Sequence, residues 1–201
     1  MKRISKSLLA IVIGLCSLGG AASATAATVT VSPGGATTAT ATTHTFLHVG
    51  STTLDCTNGR FTATLRTSTV GVLPLTISSN VSPTFSSCTV AGLGGFTVTC
   101  TASSVERVTS FTSQVGITTG TFSNIDCTIN VGFCSARVTG SVDGSYDNST
   151  GLLTIFATGQ SLMVVSSSCS FLPVGPGTLT GPSNSNIVAT VLPRQTERST
   201  P

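Results

Sequence analysis

The chain has 201 residues, of which 39% are hydrophobic and only 7% are charged, against roughly 25% charged residues in an ordinary soluble domain. Thr and Ser take the place of the charges, with 37 and 29 copies, and Thr favours strands because its branched Cβ fits a pleated surface. The formal charge of +3 is supplied by Lys2, Arg3 and Lys6. The rest of the chain is therefore neutral and lacks the basic footprint of a nucleic-acid-binding protein.

The N-terminal segment has the order of a secretory signal peptide. The charged residues MKRISK are followed by the apolar run LLAIVIGLCSLGG and then by the small residues AASATAA. This apolar run is shorter than the roughly 20 residues of a transmembrane helix. Residues 1–27 are therefore predicted to be a Sec-type signal peptide, and the protein is predicted to be secreted, with no permanent membrane span.

Composition divides the remaining chain into three parts. Residues 28–45 contain few large apolar side chains and a Pro-Gly-Gly break, so they are predicted to form a Thr-rich arm or an edge strand. Residues 46–192 contain short alternating runs separated by Gly, Pro, Asn and Ser, which is typical of a single all-β domain. Residues 193–201 are polar and are predicted to be a disordered tail.

Alternating apolar and polar residues indicate half-buried strands. Phe61, Ala63 and Leu65 fall on one face of such a strand, and Cys127 falls with the apolar residues of another. The predicted fold is an antiparallel β-sandwich of about ten to twelve short strands, with a small β-barrel as the alternative. Besides these alternating runs, strands are predicted at 72–78, 84–90, 106–118, 140–147, 152–158, 162–167, 178–181 and 186–192.

Six cysteines follow the predicted signal peptide. An even number in an exported chain favours three disulfides, and the cysteines lack the short spacing of a structural zinc site. Several pairings are possible, but antiparallel strands bring sequence neighbours side by side. Locality therefore favours the pairs Cys56–Cys88, Cys100–Cys127 and Cys134–Cys169, each closing a loop of about 30 residues.

A motif of the form V-x-G-x-Y-D-N-x-T-G-x-L-x-I occupies residues 142–155, between Cys134 and Cys169. In this motif the chain resembles a group of secreted β-rich proteins from actinobacteria, and the similarity extends over about residues 46–192. Cys100 and Cys127 look like additions to the group's pattern, which supports pairing them with each other. The resemblance implies export and a β-rich fold, but no catalytic or binding residues.

The stretch GSYDNSTG, residues 144–151, lies between two alternating runs. It is predicted to be a hairpin turn, because Asp and Asn bond to their own nearby backbone and Gly accepts positive φ. The functional alternative is a calcium site, since Asp143, Asp147 and Asn148 supply oxygen ligands. The stretch lacks the acid spacing of an EF-hand, which favours the turn.

His44 and His48 are the only two histidines. Their four-residue spacing places both on one face of either a strand or a helix, and two imidazoles can begin a zinc or copper site. The sequence HTFLH lacks the Glu of the metalloprotease pattern, which favours an exposed polar pair. No cofactor is predicted.

The Thr-x-Thr runs at 28–30, 62–64, 97–99 and 99–101 are interpreted as the polar faces of strands. An ice-binding array is the alternative, but the runs follow no fixed repeat. The acids are scattered along the chain, and no G-x-S-x-G elbow occurs. They are Asp55, Glu106, Asp126, Asp143, Asp147 and Glu197.

These features predict a non-enzymatic extracellular or cell-surface module with a binding or structural role. Its expected partner is a cell-surface glycan or a protein. The alternative is a secreted, glycan-active hydrolase whose carboxylates converge only in the fold, because glycoside hydrolysis needs two acids across the scissile bond.

Overall fold

The computed structural model describes residues 26–90, 92–101, 104–111 and 116–200, without the side chains of residues 79, 104–107, 109–111, 199 and 200. Most of the predicted signal peptide thus lies outside the described residues. Within the described ranges, none of the helical segments could cross a bilayer. The described elements are a 3₁₀ turn at Pro182–Asn184 and fifteen strands: β1 Ala27–Ser32, β2 Gly35–Ala41, β3 Thr45–Val49, β4 Thr52–Leu65, β5 Ser68–Gly71, β6 Leu75–Val90, β7 Leu93–Cys100, β8 Ser104–Phe111, β9 Ile117–Val131, β10 Cys134–Asp147, β11 Leu152–Ile155, β12 Leu162–Ser167, β13 Gly175–Thr180, β14 Ile187–Leu192 and β15 Thr196–Thr200.

Twelve of these strands form one antiparallel sheet that closes on itself. β4, β6, β9 and β10 have 14, 16, 15 and 14 residues, so each can pair with different neighbours at its two ends. At one end, these four strands and β3, β7, β12 and β13 form a closed circle of hydrogen-bonded strands, and we call this circle the first ring. At the other end, the same four strands form a closed circle with β2, β8, β11 and β14, which we call the second ring. Closure pairs backbone groups that open edge strands would expose.

The core lies inside both rings. Phe61 and Leu65 of β4 are buried while Arg60 and Thr62 are exposed, as the alternation predicted. Across the interior, the ring of Phe61 lies 6.5 Å from that of Phe122 in β9, so the two layers of the sheet pack face to face. The predicted all-β, antiparallel and disulfide-stapled fold is confirmed, and the closure of the large sheet corresponds to the β-barrel alternative rather than to two separate packed sheets.

Three disulfides join the pairs that locality favoured: Cys56–Cys88, Cys100–Cys127 and Cys134–Cys169. The first two link directly opposite residues of paired strands, β4 with β6 and β7 with β9. The third joins the start of β10 to the segment that follows β12. All three links therefore lie at the first ring, and disulfides of this kind persist in oxidising compartments.

The predicted number of strands is too low, and several bounds differ. The predicted strand 84–90 and part of 72–78 belong to the single strand β6, whose register shifts at bulges interrupt the alternation. The predicted strand 106–118 instead covers parts of β8 and β9, with residues 112–115 outside the described ranges. The additional strands include β2 and β15, which lie in segments predicted to be an arm and a tail, and β5, which lies where no strand was predicted.

Both ends of the described chain are more ordered than predicted. β2 lies between β4 and β14 in the large sheet, so residues 28–45 are neither an edge nor a loosely attached arm. The prediction of a disordered tail at 193–201 is wrong for β15, which pairs with β1 in a separate three-stranded sheet of order β15, β1, β5. Val29 and Val31 of β1 pack with Ile77 in a second, smaller core at the end of the second ring.

Candidate functional site

His44 and His48 lie on either side of Phe46 at β3. The three rings form a stack with centroid separations of 6.1 and 6.2 Å, so Phe46 stands between the two imidazoles. His44 Nδ1 lies 2.9 Å from the Asp55 carboxylate, and both ring nitrogens of His48 lie 3.0 Å from threonine hydroxyls. The two histidines therefore do not converge on one metal position.

Each of the predicted calcium ligands hydrogen-bonds to a different part of the protein. Asp143 Oδ1 accepts a hydrogen bond from the hydroxyl of Thr121 at 2.7 Å. Asp147 Oδ1 accepts from the hydroxyl and the backbone N–H of Ser149, and these bonds lower the pKa of Asp147 below its usual value. Asn148 is buried against β15. Among the described residues, no group of three or more His, Cys, Asp or Glu side chains gathers to bind a metal.

The acids that a hydrolase would need are also dispersed. Asp126 forms a two-point contact with Arg137, with Nε 2.8 Å from Oδ1, and the hydrogen bond from this guanidinium lowers the pKa of Asp126. Asp55 contacts His44, and Glu197 is buried. The Glu106 side chain lies outside the described part of the chain. The described aspartates are thus bonded to different neighbours, while Glu197 is buried apart from them.

The Thr-x-Thr runs contribute to rows of polar residues on the outer face. Strand register aligns one such row across eight strands, from β14 through β2, β4, β6, β7, β9 and β10 to β12. Since neighbouring strands lie about 4.8 Å apart, the side chains in the row are close neighbours. Its members are Thr190, Thr40, Arg60, Thr84, Thr99, Thr128, Arg137 and Ser166.

Beside this row, a shallow groove of about 600 Å³ follows the outer face of β2, β4 and β6. Leu192 and Pro193 form an apolar wall, and Leu192 is 65% exposed. The polar lining consists of Thr37, Thr38, Thr62, Thr64, Asn80 and Ser82.

Asn80 is fixed in place at one side of the groove. Its Oδ1 accepts hydrogen bonds from the Thr64 backbone N–H at 3.0 Å and from the Ser78 hydroxyl at 3.1 Å. The groove therefore combines hydroxyl and amide groups with an apolar wall, and none of its lining residues is charged.

The hairpin turn predicted at residues 144–151 is confirmed by the pairing of β10 with β11, and it also binds the C-terminal strand. The Tyr146 hydroxyl donates to the carbonyl oxygen of Gln195 at 2.8 Å and accepts from the backbone N–H of the same residue at 3.0 Å. Asn148 Nδ2 donates to the carbonyl oxygen of Glu197 at 2.9 Å, and Asn148 Oδ1 accepts from the Glu197 N–H at 2.8 Å. We call these four bonds the side-chain ladder, because they satisfy alternate residues as a neighbouring strand would.

The side-chain ladder places the Glu197 carboxyl inside the second ring. Glu197 is 3% exposed and borders an internal cavity of about 40 Å³ whose walls include Phe61, Phe122 and Leu153. Burial raises the pKa of Glu197 to about 7, and the neighbouring Thr118 hydroxyl, whose contact with the carboxyl falls short of hydrogen-bond geometry, opposes this shift. Within the described chain, neither Glu197 Oε2 nor Thr118 Oγ1 makes a hydrogen bond. Sequence reasoning missed this cluster, because Glu197 lies in a polar segment predicted to be a tail.

Comparison with known proteins finds no matching family model, no similar curated protein and no similar solved structure.

Proposed function

We propose that this protein is exported and acts outside the cytoplasm as a non-enzymatic binding module for neutral glycans. The single observation behind this assignment is the uncharged hydroxyl and amide groove on β2, β4 and β6. Export is supported by the signal-peptide pattern of residues 1–27. The three disulfides, which suit an oxidising compartment, support it further.

The chemistry of the groove matches a sugar chain. A threonine hydroxyl can donate one hydrogen bond and accept two, so a row of them can pair with sugar hydroxyls in either direction. The apolar wall of Leu192 and Pro193 can contact the C–H faces of a sugar ring. The lining residues carry no charge, and Arg60 of the adjacent row donates to Thr38 Oγ1 at 3.4 Å, so a neutral ligand does not have to offset a buried charge.

The dispersion of the acids favours binding over hydrolysis. A glycosidase places two carboxylates about 5–10 Å apart, one on each side of the scissile bond. Here the groove is lined by hydroxyls, an amide and apolar groups, while Asp55 and Asp126 contact His44 and Arg137 elsewhere on the surface. A ligand in the groove is therefore expected to be bound and released unchanged.

The test is binding to an array of neutral oligosaccharides of glucose, xylose and mannose, followed by calorimetry with the tightest binder. The double variant Thr38→Val/Thr62→Val removes two directly paired hydroxyls from the groove and keeps the branched shape that suits a strand. Each lost hydrogen bond is worth about 0.5–1.5 kcal/mol. We therefore expect the variant to bind about tenfold more weakly.

The matched control is Thr99→Val/Thr128→Val, which removes another directly paired set of exposed hydroxyls, on β7 and β9 and away from the groove. It should bind as the unaltered protein does. Absence of binding to every neutral glycan, or an equal loss in both double variants, would contradict the proposal. Release of new reducing ends from a bound oligosaccharide would establish the hydrolase instead.

A further inference from the structure

β15 is attached to the molecule along both of its edges, by different means. On one side its backbone pairs with β1 through the register Val31↔Glu197 and its neighbours. On the other side the side-chain ladder supplies the hydrogen bonds, from Tyr146 and Asn148. Arg194 adds bonds to the carbonyl oxygens of the turn, including that of Asn148 at 3.2 Å from Nε. The strand thus depends on a few side chains rather than on a second backbone neighbour.

The same strand carries a deeply buried acid, Glu197. The carboxyl of Glu197 enters the second ring beside a cavity of about 40 Å³, and its Oε2 has no hydrogen-bond partner among the described residues. A neutral carboxylic acid can remain in such a place at modest cost, but a carboxylate without a counter-charge is strongly disfavoured. Ionisation of the Glu197 carboxyl therefore disfavours the packing of β15 against the second ring.

Few groups near Glu197 can compensate its charge. Glu197 borders two cavities, and most of the described side chains that line them are apolar or bear hydroxyls; these come from β2, β4, β6, β8, β9, β11 and β14. The other titratable side chain in the described lining is Tyr146 of β10. Burial raises the pKa of the Tyr146 phenol above its usual value, so the phenol stays neutral. On the outside, Arg194 contacts the turn carbonyls, Asp147 is bonded to Ser149, and Arg198 is exposed.

We propose that β15 is a pH-operated latch, which the side-chain ladder keeps closed while Glu197 is protonated and which loosens when the Glu197 carboxyl ionises. The sign follows from linkage: an acid whose pKa is higher in the closed than in the open state favours the closed state at low pH. The closed latch loses its advantage as pH rises from the ordinary Glu value of 4.5 towards about 7. Above that window the carboxyl is ionised in both states, and no further change occurs.

Hydrogen exchange of backbone amides in residues 193–200, followed by mass spectrometry at pH 5 and pH 8, tests the latch. After correction for the intrinsic pH dependence of exchange, we expect the opening equilibrium of this segment to rise at least about tenfold between the two values. Glu197→Gln keeps the shape and stays neutral, so its corrected exchange should differ by less than about twofold. Peptides from the first ring that contain no glycine, such as the segment of β12, serve as an internal reference for the exchange measurement.

The matched control is Asp55→Asn, the same chemical change at a carboxyl on the outer surface beside His44. It should show the pH response of the unaltered protein. Equal corrected exchange of residues 193–200 at both pH values in the unaltered protein would overturn the latch. If Glu197→Gln unfolds, the pH dependence of exchange in the unaltered protein still decides. A rise in corrected exchange that is confined to residues 193–200 supports the latch, and an equal rise in all peptides overturns it.

Discussion

The two rings share four long strands, yet they are stabilised in different ways. The first ring bears all three disulfides, two of them between directly opposite residues of paired strands. The second ring instead packs against the C-terminal segment, where Gln195, the residue before β15, and Glu197 of β15 are buried and bonded to Tyr146 and Asn148. One end of the molecule thus depends on covalent links and the other on buried polar contacts.

This difference shows how one sheet can combine a resistant end with a responsive end. A disulfide is insensitive to pH across the neutral range, whereas a buried carboxyl without a counter-charge responds to it directly. Conversely, a reductant acts on the first ring and leaves the chemistry of the side-chain ladder unchanged. The two ends should therefore fail under different solution conditions.

Reduction should give the largest effect, and it should act through the first ring. The disulfides close sequence separations of 32, 27 and 35 residues, for which the chain-entropy model gives about 3–4 kcal/mol each. Their combined loss is comparable to a typical domain stability of about 5–15 kcal/mol. We expect urea unfolding followed by circular dichroism to lose its cooperative transition in the reduced protein. An unchanged midpoint in a sample in which alkylation shows all three disulfides to be reduced would refute this role.

Raising the pH should give the next largest effect, through the second ring. With a pKa of about 7 in the folded protein against 4.5 when unfolded, linkage predicts a loss of about 2–3 kcal/mol between pH 5 and pH 8. The stabilisation is fully present below the unfolded value and is lost as pH approaches the folded value. Denaturant unfolding across this range measures it, and Glu197→Gln should flatten the curve. A stability that rises from pH 5 to pH 8 would contradict the assignment.

Removing the Tyr146 hydroxyl should give the smallest of these effects. Tyr146→Phe deletes both bonds to Gln195 and leaves its buried N–H and carbonyl groups without that partner, which costs about 1–3 kcal/mol. Unfolding of the variant at pH 5 measures the loss without interference from ionised Glu197. Phe133→Leu, at a side chain that is 77% exposed in the turn between β9 and β10, is the control and should stay within about 0.5 kcal/mol. Equal stabilities of Tyr146→Phe and the unaltered protein would show that the two Tyr146 bonds of the ladder are dispensable.

Local patterns predicted the parts of the fold that depend on neighbouring residues. Strand β12 has the predicted bounds 162–167, and the alternation of β4 correctly separated Phe61 from Arg60. The turn at residues 144–151 was recognised because Asp, Asn and Gly have intrinsic turn chemistry. The disulfide pairing also followed from locality, since each pair joins strands or segments that are close in sequence.

Long-range contacts account for what the sequence did not predict. β1 and β15 come from opposite ends of the described chain, and their pairing Val29↔Ser199 has no local signature. The polar residues Gln195 and Glu197 resembled a tail, because their burial is possible only where Tyr146 and Asn148 satisfy the backbone around them. The groove on β2, β4 and β6 was hidden for the same reason, since strand register decides which threonines become neighbours.

The sequence by itself determined an all-β chain, the inward and outward faces of its strands, the turn and the cysteine pairs. These properties depend on side-chain period and local backbone preference, which act over a few residues. Only the tertiary structure decided the closure into two rings, the alignment of the outer hydroxyls and the burial of Glu197. Each of these requires strands far apart in sequence to meet in one register, and that choice is made by the free energy of the whole packed core.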